Sequence, residues 1–535
     1  MASPRRSEAK IYKKLVNPII LLLLFAVVFL SHVTWLGLHD VYFCGDGFTH
    51  YWNSVTRMNY LKYGNLTRFF LPNDGLHLFY LYPPLIYQIT GVFLFFLGQS
   101  HKTAVLINSF FILLLIISVY LTGKELWNPQ VGILSALVSA SIPIIQNVIR
   151  GNLLDAQLCA MVALGCYLLI KSKNFTNTGY SIAFFFVMAL GSLIKWTATF
   201  YVSGLFIICL WIMIAKMDNT QKKQFFLTGA GLAASLIIPI MARYYYFTRE
   251  QQAYGFGSYF SGISLLLVFI AFLRLHKKLD KQIRDFYTGA SLFFLTCAHF
   301  YYLKFWDLLY CYPEVASRGA SREVDSIFMS WHSFKFFLDY NWLIFAITGL
   351  LFYIFSKNKT WERTYFLASI PVGMIFFIYH PDRDVRLVMP MIVFFAPLMT
   401  FWICQVSNKA VKYGAFAFLM LQVIISLVGW TIPQDSKIYS LLYKKYNFLK
   451  VQEFTGKLPT TLSTAQKKDM DFLANYLTDT SRNGPYFLVI SYPEKYSDKN
   501  HPYKKSWFWD EKTLGYSGTD IAFKLFDKKN LYPFF

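Results

Sequence analysis

Long apolar runs broken by short, mostly basic segments cover the chain up to about residue 432, after which it turns polar. The runs begin near 17, 83, 103, 131, 153, 179, 197, 225, 259, 286, 337, 364, 386 and 412. Most reach the ~20 apolar residues that a helix needs to cross a bilayer. The run Pro83–Leu97 is too short for that and opens with two prolines, so it is expected at the interface or half inserted. With it left out of the count, the loops around Lys124, Lys171–Lys173, Lys216–Lys223, Arg274–Arg284, Lys357–Arg363 and Lys409–Lys412 all face the cytosol. Counting it as a span would turn every one of them outward, against the positive-inside rule. The expectation is an all-α polytopic membrane protein of about thirteen transmembrane helices, with a cytosolic N-terminus and an extracytoplasmic C-terminus.

Three segments follow from this pattern. Residues 1–16 form a basic cytosolic N-terminus, in which MASPRRSEAKIYKK carries five Lys/Arg before the first apolar run; it reads as a retained signal-anchor. Residues 17–432 form the transmembrane module, with a first outer loop at 38–82 and an interfacial helix at 83–98. Residues 433–535 combine a helix-like stretch, TLSTAQKKDMDFLANYL, with a strand-like one, YFLVISY. A small extracytoplasmic α/β or α+β domain is expected there.

Composition excludes a soluble protein: 56% of residues are hydrophobic and 15% charged, and the mean hydropathy is +0.39. The net charge of +22 sits in short loops, where membrane topology requires it, and no recognition motif for nucleic acid accompanies it. The seven cysteines have no metal-like spacing. Cys159, Cys166, Cys209, Cys297 and Cys404 lie in apolar runs and read as small core residues, whereas Cys44 and Cys311 lie in outer loops and could pair only if the fold brings them together. Of the sequons at Asn65, Asn174 and Asn358, Asn65 alone falls on an outward loop.

Charged chemistry is confined to the outer surface. The outward loops carry Asp46, Arg57, Asp155, Lys195, Arg249, Arg383 and Arg386, and the spans are almost free of ionisable groups. Asp46 lies between Gly45 and Gly47 after the first span and before an aromatic amphipathic helix, GDGFTHYWNSVTRMNYLK. Either acid, Asp46 or Asp155, could simply cap the helix that follows it. The stripe Phe48, Tyr51, Trp52 and Tyr60 reads as an interfacial anchor for that helix.

In order along the chain, GDGFTHYW, YPPLIYQITGVFLFFLG, RGNLLDAQLCAMVALGCYLLI, GSLIKWTATF and HPDRDVRLVMPMIVFFAPL resemble motifs of the GT-C membrane glycosyltransferases. The branch they are most similar to comprises the protein O-mannosyltransferases and aminoarabinose transferases, which use dolichyl- or undecaprenyl-phosphate sugars. The resemblance runs over roughly residues 17–405. It departs where Gly47 follows Asp46 in place of a second acid, and where Tyr82 replaces the family's juxtamembrane lysine.

The resemblance implies a transferase that moves a sugar from a polyprenyl-phosphate donor to a protein, lipid or glycan acceptor on the extracytoplasmic face, by an inverting displacement. Asp46 would be the general base and Asp155 a second active-site acid, as orienter or metal ligand. Arg386 would hold the leaving phosphate, with Lys195, Arg383, His380, Tyr82 and Arg57 as further phosphate- or headgroup-binding candidates. No cofactor is required, and Asp46 with Asp155 would hold a divalent cation, Mg or Mn, if there is one. The partners expected are the lipid-linked donor, the acceptor and the bilayer, with no nucleic acid. A bacterial inner membrane is favoured, and the endoplasmic reticulum is the alternative. Two other readings stand beside this one: a lipid or polysaccharide transporter or flippase, which needs a polar path through the spans, and a non-catalytic scaffold of a glycosylation complex.

Overall fold

The structure, a computed structural model, describes residues 4–38, 45–70, 82–233, 278–297, 300–301, 326–357, 359–379 and 385–432. Side chains at 4–15, 45, 46, 48, 326–340, 376–379, 385 and 430 are outside that description. The expected C-terminal domain, the run near 259, and Cys44 and Cys311 lie outside it too. Among the described residues every regular element is helical.

The chain enters through α1 (Pro4–Leu38), then α2 (Gly45–Lys62) and the short α3 (Leu66–Phe70). It continues through α4 (Leu85–Leu97), α5 (His101–Leu106), α6 (Asn108–Leu126), α7 (Pro129–Ser141), α8 (Pro143–Arg150), α9 (Asp155–Lys171), α10 (Thr178–Ile194) and α11 (Ala198–Ala215). Helical residues 219–233 and 281–297 come next. Helices Ser326–Phe355, Trp361–Tyr379, Ile392–Gln405 and Lys409–Thr431 complete the bundle, with two 3-10 turns, Val385–Leu387 and Met389–Met391, ahead of the third of these.

Local chemistry explains the boundaries. Asn128 caps α7 by accepting from the Val131 amide at 2.9 Å, and Pro129 occupies the first helical position, where a missing N–H costs nothing. Asn408 caps the last helix in the same way. Pro143 sits at the start of α8, and Ile142 before it is extended (ψ 134°), so the run near 131 is bent by 53° between α7 and α8. The apolar run near 131 counts as one span, and the bend makes it a broken one if it crosses.

Among the described residues, four helices are long and apolar enough to cross a membrane: Val16–Leu38, His101–Leu126, Ala198–Lys216 and Lys409–Gly429. The bent α7–α8 pair would make a fifth. Shorter apolar helices are Leu85–Leu97, Thr178–Ile194, Asn341–Phe355 and Met389–Gln405. At 1.5 Å per residue α4 is ~20 Å long, short of a ~30 Å hydrocarbon core. Leu22, Leu23 and Leu30 on α1 and Ile207 and Trp211 on α11 remain exposed, as expected of surfaces facing lipid.

The core is built around α6, α7, α9 and Ile392–Gln405, whose Ile392, Val393, Phe394 and Met399 are fully buried. Cys159, Cys166, Cys209 and Cys297 are buried free thiols, as their apolar setting predicted. The turn after α9 puts three consecutive non-glycine residues in the left-handed region, Lys173, Asn174 and Phe175 (φ 50, 57 and 65°). For Lys173 and Phe175 this costs roughly 1–2 kcal/mol each, and less for Asn174. The turn is held because Phe175 is completely buried against Phe184, Phe185, Phe206 and Phe286.

Helix α2 lies against α4. A Cβ on Gly91 of α4 would come within 2.8 Å of the Arg57 Cβ and 2.9 Å of the Met58 amide, so only glycine permits this approach. Tyr51 is fully buried, edge-on to His101 at 4.4 Å. The expected interfacial stripe is corrected at this residue, because α2 turns that face into the protein.

Candidate active site

Asp155 opens α9, where a carboxylate suits the positive end of the helix. The chain leaves α10 through Lys195, which is extended (φ −151°, ψ 128°), and Ala198 starts α11 two residues after Trp196. That corner aims the Lys195 ammonium back at α9, and Lys195 Nζ donates to Asp155 Oδ1 at 2.7 Å. The two side chains are only 11% and 2% exposed, so this is a buried ion pair. Sequence reasoning had nominated each residue separately and had not paired them.

Two further elements are fastened to this corner. Tyr201 of α11 donates its hydroxyl to the Leu387 carbonyl at 2.5 Å, and Cys159 of α9 donates its thiol to the Met389 carbonyl at 3.7 Å. These contacts dock the 3-10 turn that carries Arg386, a half-buried residue, beside α9 and α11. On another side, Tyr82 and Leu85 pack with Ile86 and Tyr87 against Leu154 and Ile194, the residues immediately before Asp155 and Lys195.

The first turn of α2 arrives through Asn152, whose Nδ2 donates to the Gly47 carbonyl at 3.1 Å. Asn108 of α6 in turn holds the loop before Asp155, donating to the carbonyls of Ile149 and Gly151 at 2.9 Å each. Asp46 adjoins Gly47 in that helical turn; its side chain lies outside the described residues. The elements bearing Asp46, Tyr82, Asp155, Lys195 and Arg386 therefore meet at one end of the bundle. His380 and Arg383 fall outside the described residues.

One expectation changes. Arg57 is 1% exposed, and its guanidinium donates to the carbonyls of Arg68 and of Phe69, the latter at 2.9 Å. It ties α3 to α2 inside the protein; burial pushes its pKa down to about 10. Arg150, at the loop ahead of Asp155 where an outward turn falls between two apolar runs, ends α8 fully buried, donating to Gln146 and to the Ser31 hydroxyl and lying over the Trp35 ring.

The sequence reading also passed over His50. It is buried one helical turn beyond Asp46, with Nδ1 2.9 Å from the Tyr87 hydroxyl and its ring edge-on to Tyr82 at 5.1 Å. The i, i+4 spacing on one face of α2 was the available signal. Asn108 and Asn152 gave none, because each acts through backbone carbonyls distant in sequence.

Asp155 Oδ1 takes the Lys195 ammonium, and among the described residues no three His, Cys, Asp or Glu cluster together; the side chain of Asp46, the other candidate cation ligand, lies outside them.

Residues 82–243 match the family described as dolichyl-phosphate-mannose-protein mannosyltransferase. The resemblance to membrane glycosyltransferases read from the motifs thus holds over a segment that contains Tyr82, Asp155 and Lys195 and excludes Asp46 and Arg386. No curated protein matches the sequence. Among solved structures, the chain is similar to an Archaeoglobus fulgidus oligosaccharyltransferase tethered with an acceptor peptide (11% identity, TM-score 0.44, covering 90% of this chain and 61% of that one). The chain thus spans about six tenths of that protein's length. It is also similar to ArnT from Cupriavidus metallidurans bound to undecaprenyl phosphate (11% identity, TM-score 0.32, 77% of each chain).

Proposed function

We propose that the protein is a membrane glycosyltransferase that moves a sugar from a polyprenyl-phosphate donor to an acceptor hydroxyl or amine at the extracytoplasmic surface. One observation carries the reading. The buried Asp155–Lys195 pair, inside the segment that matches the mannosyltransferase family, lies where Asn152 fastens the α2 turn bearing Asp46.

In the proposed reaction the acceptor oxygen or nitrogen attacks the anomeric carbon as the bond from that carbon to the phosphate oxygen breaks. The acceptor proton passes to Asp46, a contribution typically of ~10²–10⁴ in rate. The polyprenyl phosphate leaves with the bonding electrons, and Arg386 meets the charge that it gathers. Lys195 orients Asp155; an ammonium has three donors and one is used on Asp155, which leaves capacity for a phosphate oxygen.

The test is sugar transfer from dolichyl-phosphate mannose in membranes carrying wild-type, Asp46→Asn or Arg386→Ala protein at matched expression. The expected result is transfer lost with donor binding kept for Asp46→Asn, and donor binding lost for Arg386→Ala. Undiminished transfer in both variants would refute the assignment and bring the scaffold reading forward.

A further inference from the structure

We infer that Asn152 is a positioning residue for this reaction, holding the α2 turn that carries Asp46 against the Asp155–Lys195 pair; the inference rests on the function proposed above. Asn152 is 8% exposed and its amide donates to the Gly47 carbonyl across 105 residues of sequence. A helical carbonyl has two lone pairs and needs one for its own ladder. The bond from Asn152 is therefore additional to the helix and serves only to join two distant elements.

The joint is stiff at its far end. Asn108, fully buried, holds the carbonyls of Ile149 and Gly151 on the near side of Asn152. Three residues beyond Asn152, Asp155 is clamped by Lys195. Asn152 thus projects from a turn fixed on both sides, and what it fixes in turn is the backbone next to the general base. A displacement of about 1 Å at a reacting group can lower the rate ~10²-fold.

Helix α2 does not depend on this bond to fold. His50 meets Tyr87, and Val55 and Met58 sit in the cluster with Trp35 and Leu94. Removing the Asn152 amide should loosen the first turn of α2 and leave the remainder in place.

The experiment compares wild-type protein with Asn152→Ala, Asn152→Asp, which has the same shape but no donor when ionised, and Asn152→Gln, which keeps an amide. Transfer kinetics use dolichyl-phosphate mannose, and hydrogen exchange is followed in peptides covering 45–54. For the Ala and Asp variants, kcat should fall about 10- to 100-fold with donor KM little changed. Amides of the first α2 turn should exchange faster in both, with other helices unaffected, and Gln should recover part of each loss. Wild-type kcat and wild-type exchange in Asn152→Ala would overturn the inference, as would faster exchange spread over the whole bundle. If wild-type protein transfers no sugar from any polyprenyl-phosphate donor, the proposed function fails, and the exchange measurement alone then decides whether Asn152 holds α2.

Discussion

Replacing Lys195 by methionine tests the corner on which the site is built. Lys195 and Asp155 meet at 2.7 Å with side-chain exposures of 11% and 2%, so water screens the pair little. Removing the ammonium strands a carboxylate in the interior, a change that typically costs about 3–5 kcal/mol. Asp155→Asn strands the lysine instead. The double variant strands neither charge, so most of the stability lost in each single variant should return. A double-mutant cycle on the unfolding free energy of the purified, detergent-solubilised protein should give a coupling of about 2 kcal/mol or more. Transfer should stay low in the double variant, because neutral side chains restore packing without restoring the charges. Single variants within about 0.5 kcal/mol of wild type, or strictly additive losses, would show that the pair does not hold the corner.

Three other perturbations probe the supports of the site. Gly91→Ala puts a methyl 2.8 Å from the Arg57 Cβ and forces α4 off α2, so thermal unfolding should report a loss of about 1–3 kcal/mol. Phe175→Ala empties a fully buried aromatic cluster and removes what holds the left-handed turn, with an expected loss of about 3–5 kcal/mol in the same measurement. Tyr201→Phe deletes the hydroxyl donated to the Leu387 carbonyl and should free the turn bearing Arg386. Donor affinity should then drop by about 5- to 150-fold, corresponding to ~1–3 kcal/mol for a stranded buried carbonyl; unchanged affinity would detach that turn from donor binding.

The helical character of the fold was legible because it depends on local pattern. The apolar runs, the Asn-Pro start of α7 and the shortness of α4 can all be read from a few adjacent residues. The bend between α7 and α8 was written in Pro143, yet a hydropathy count averages over a proline and returns one span. The burial of Tyr51 was less accessible still. An aromatic residue on a juxtamembrane helix has the same sequence signature whether it faces headgroups or a neighbouring helix, and the packing of Tyr51 with Trp35, Leu94, Val105 and His101 decides between them.

For the site, sequence yielded the residue types and missed how they combine. Asp155 and Lys195 were both nominated through motifs of the family resemblance at the ends of apolar runs, but their union depends on the extended backbone at the end of α10, a tertiary fact. Arg57, nominated as a charge in the first outer loop, is turned inward, because the carbonyls of Arg68 and Phe69 need donors once α3 folds against α2. Charge at a membrane edge therefore selects two populations that sequence cannot separate: cations that pair with a carboxylate, and cations that satisfy the backbone. What separates them is the identity of the acceptor. Arg57 and Arg150 are occupied by carbonyls, an amide and a hydroxyl, whereas Lys195 is set on a carboxylate beside the turns that bear Asp46 and Arg386. On that ground the phosphate-binding proposal rests on Lys195 and Arg386, and Arg57 and Arg150 take their place among the groups that hold the frame.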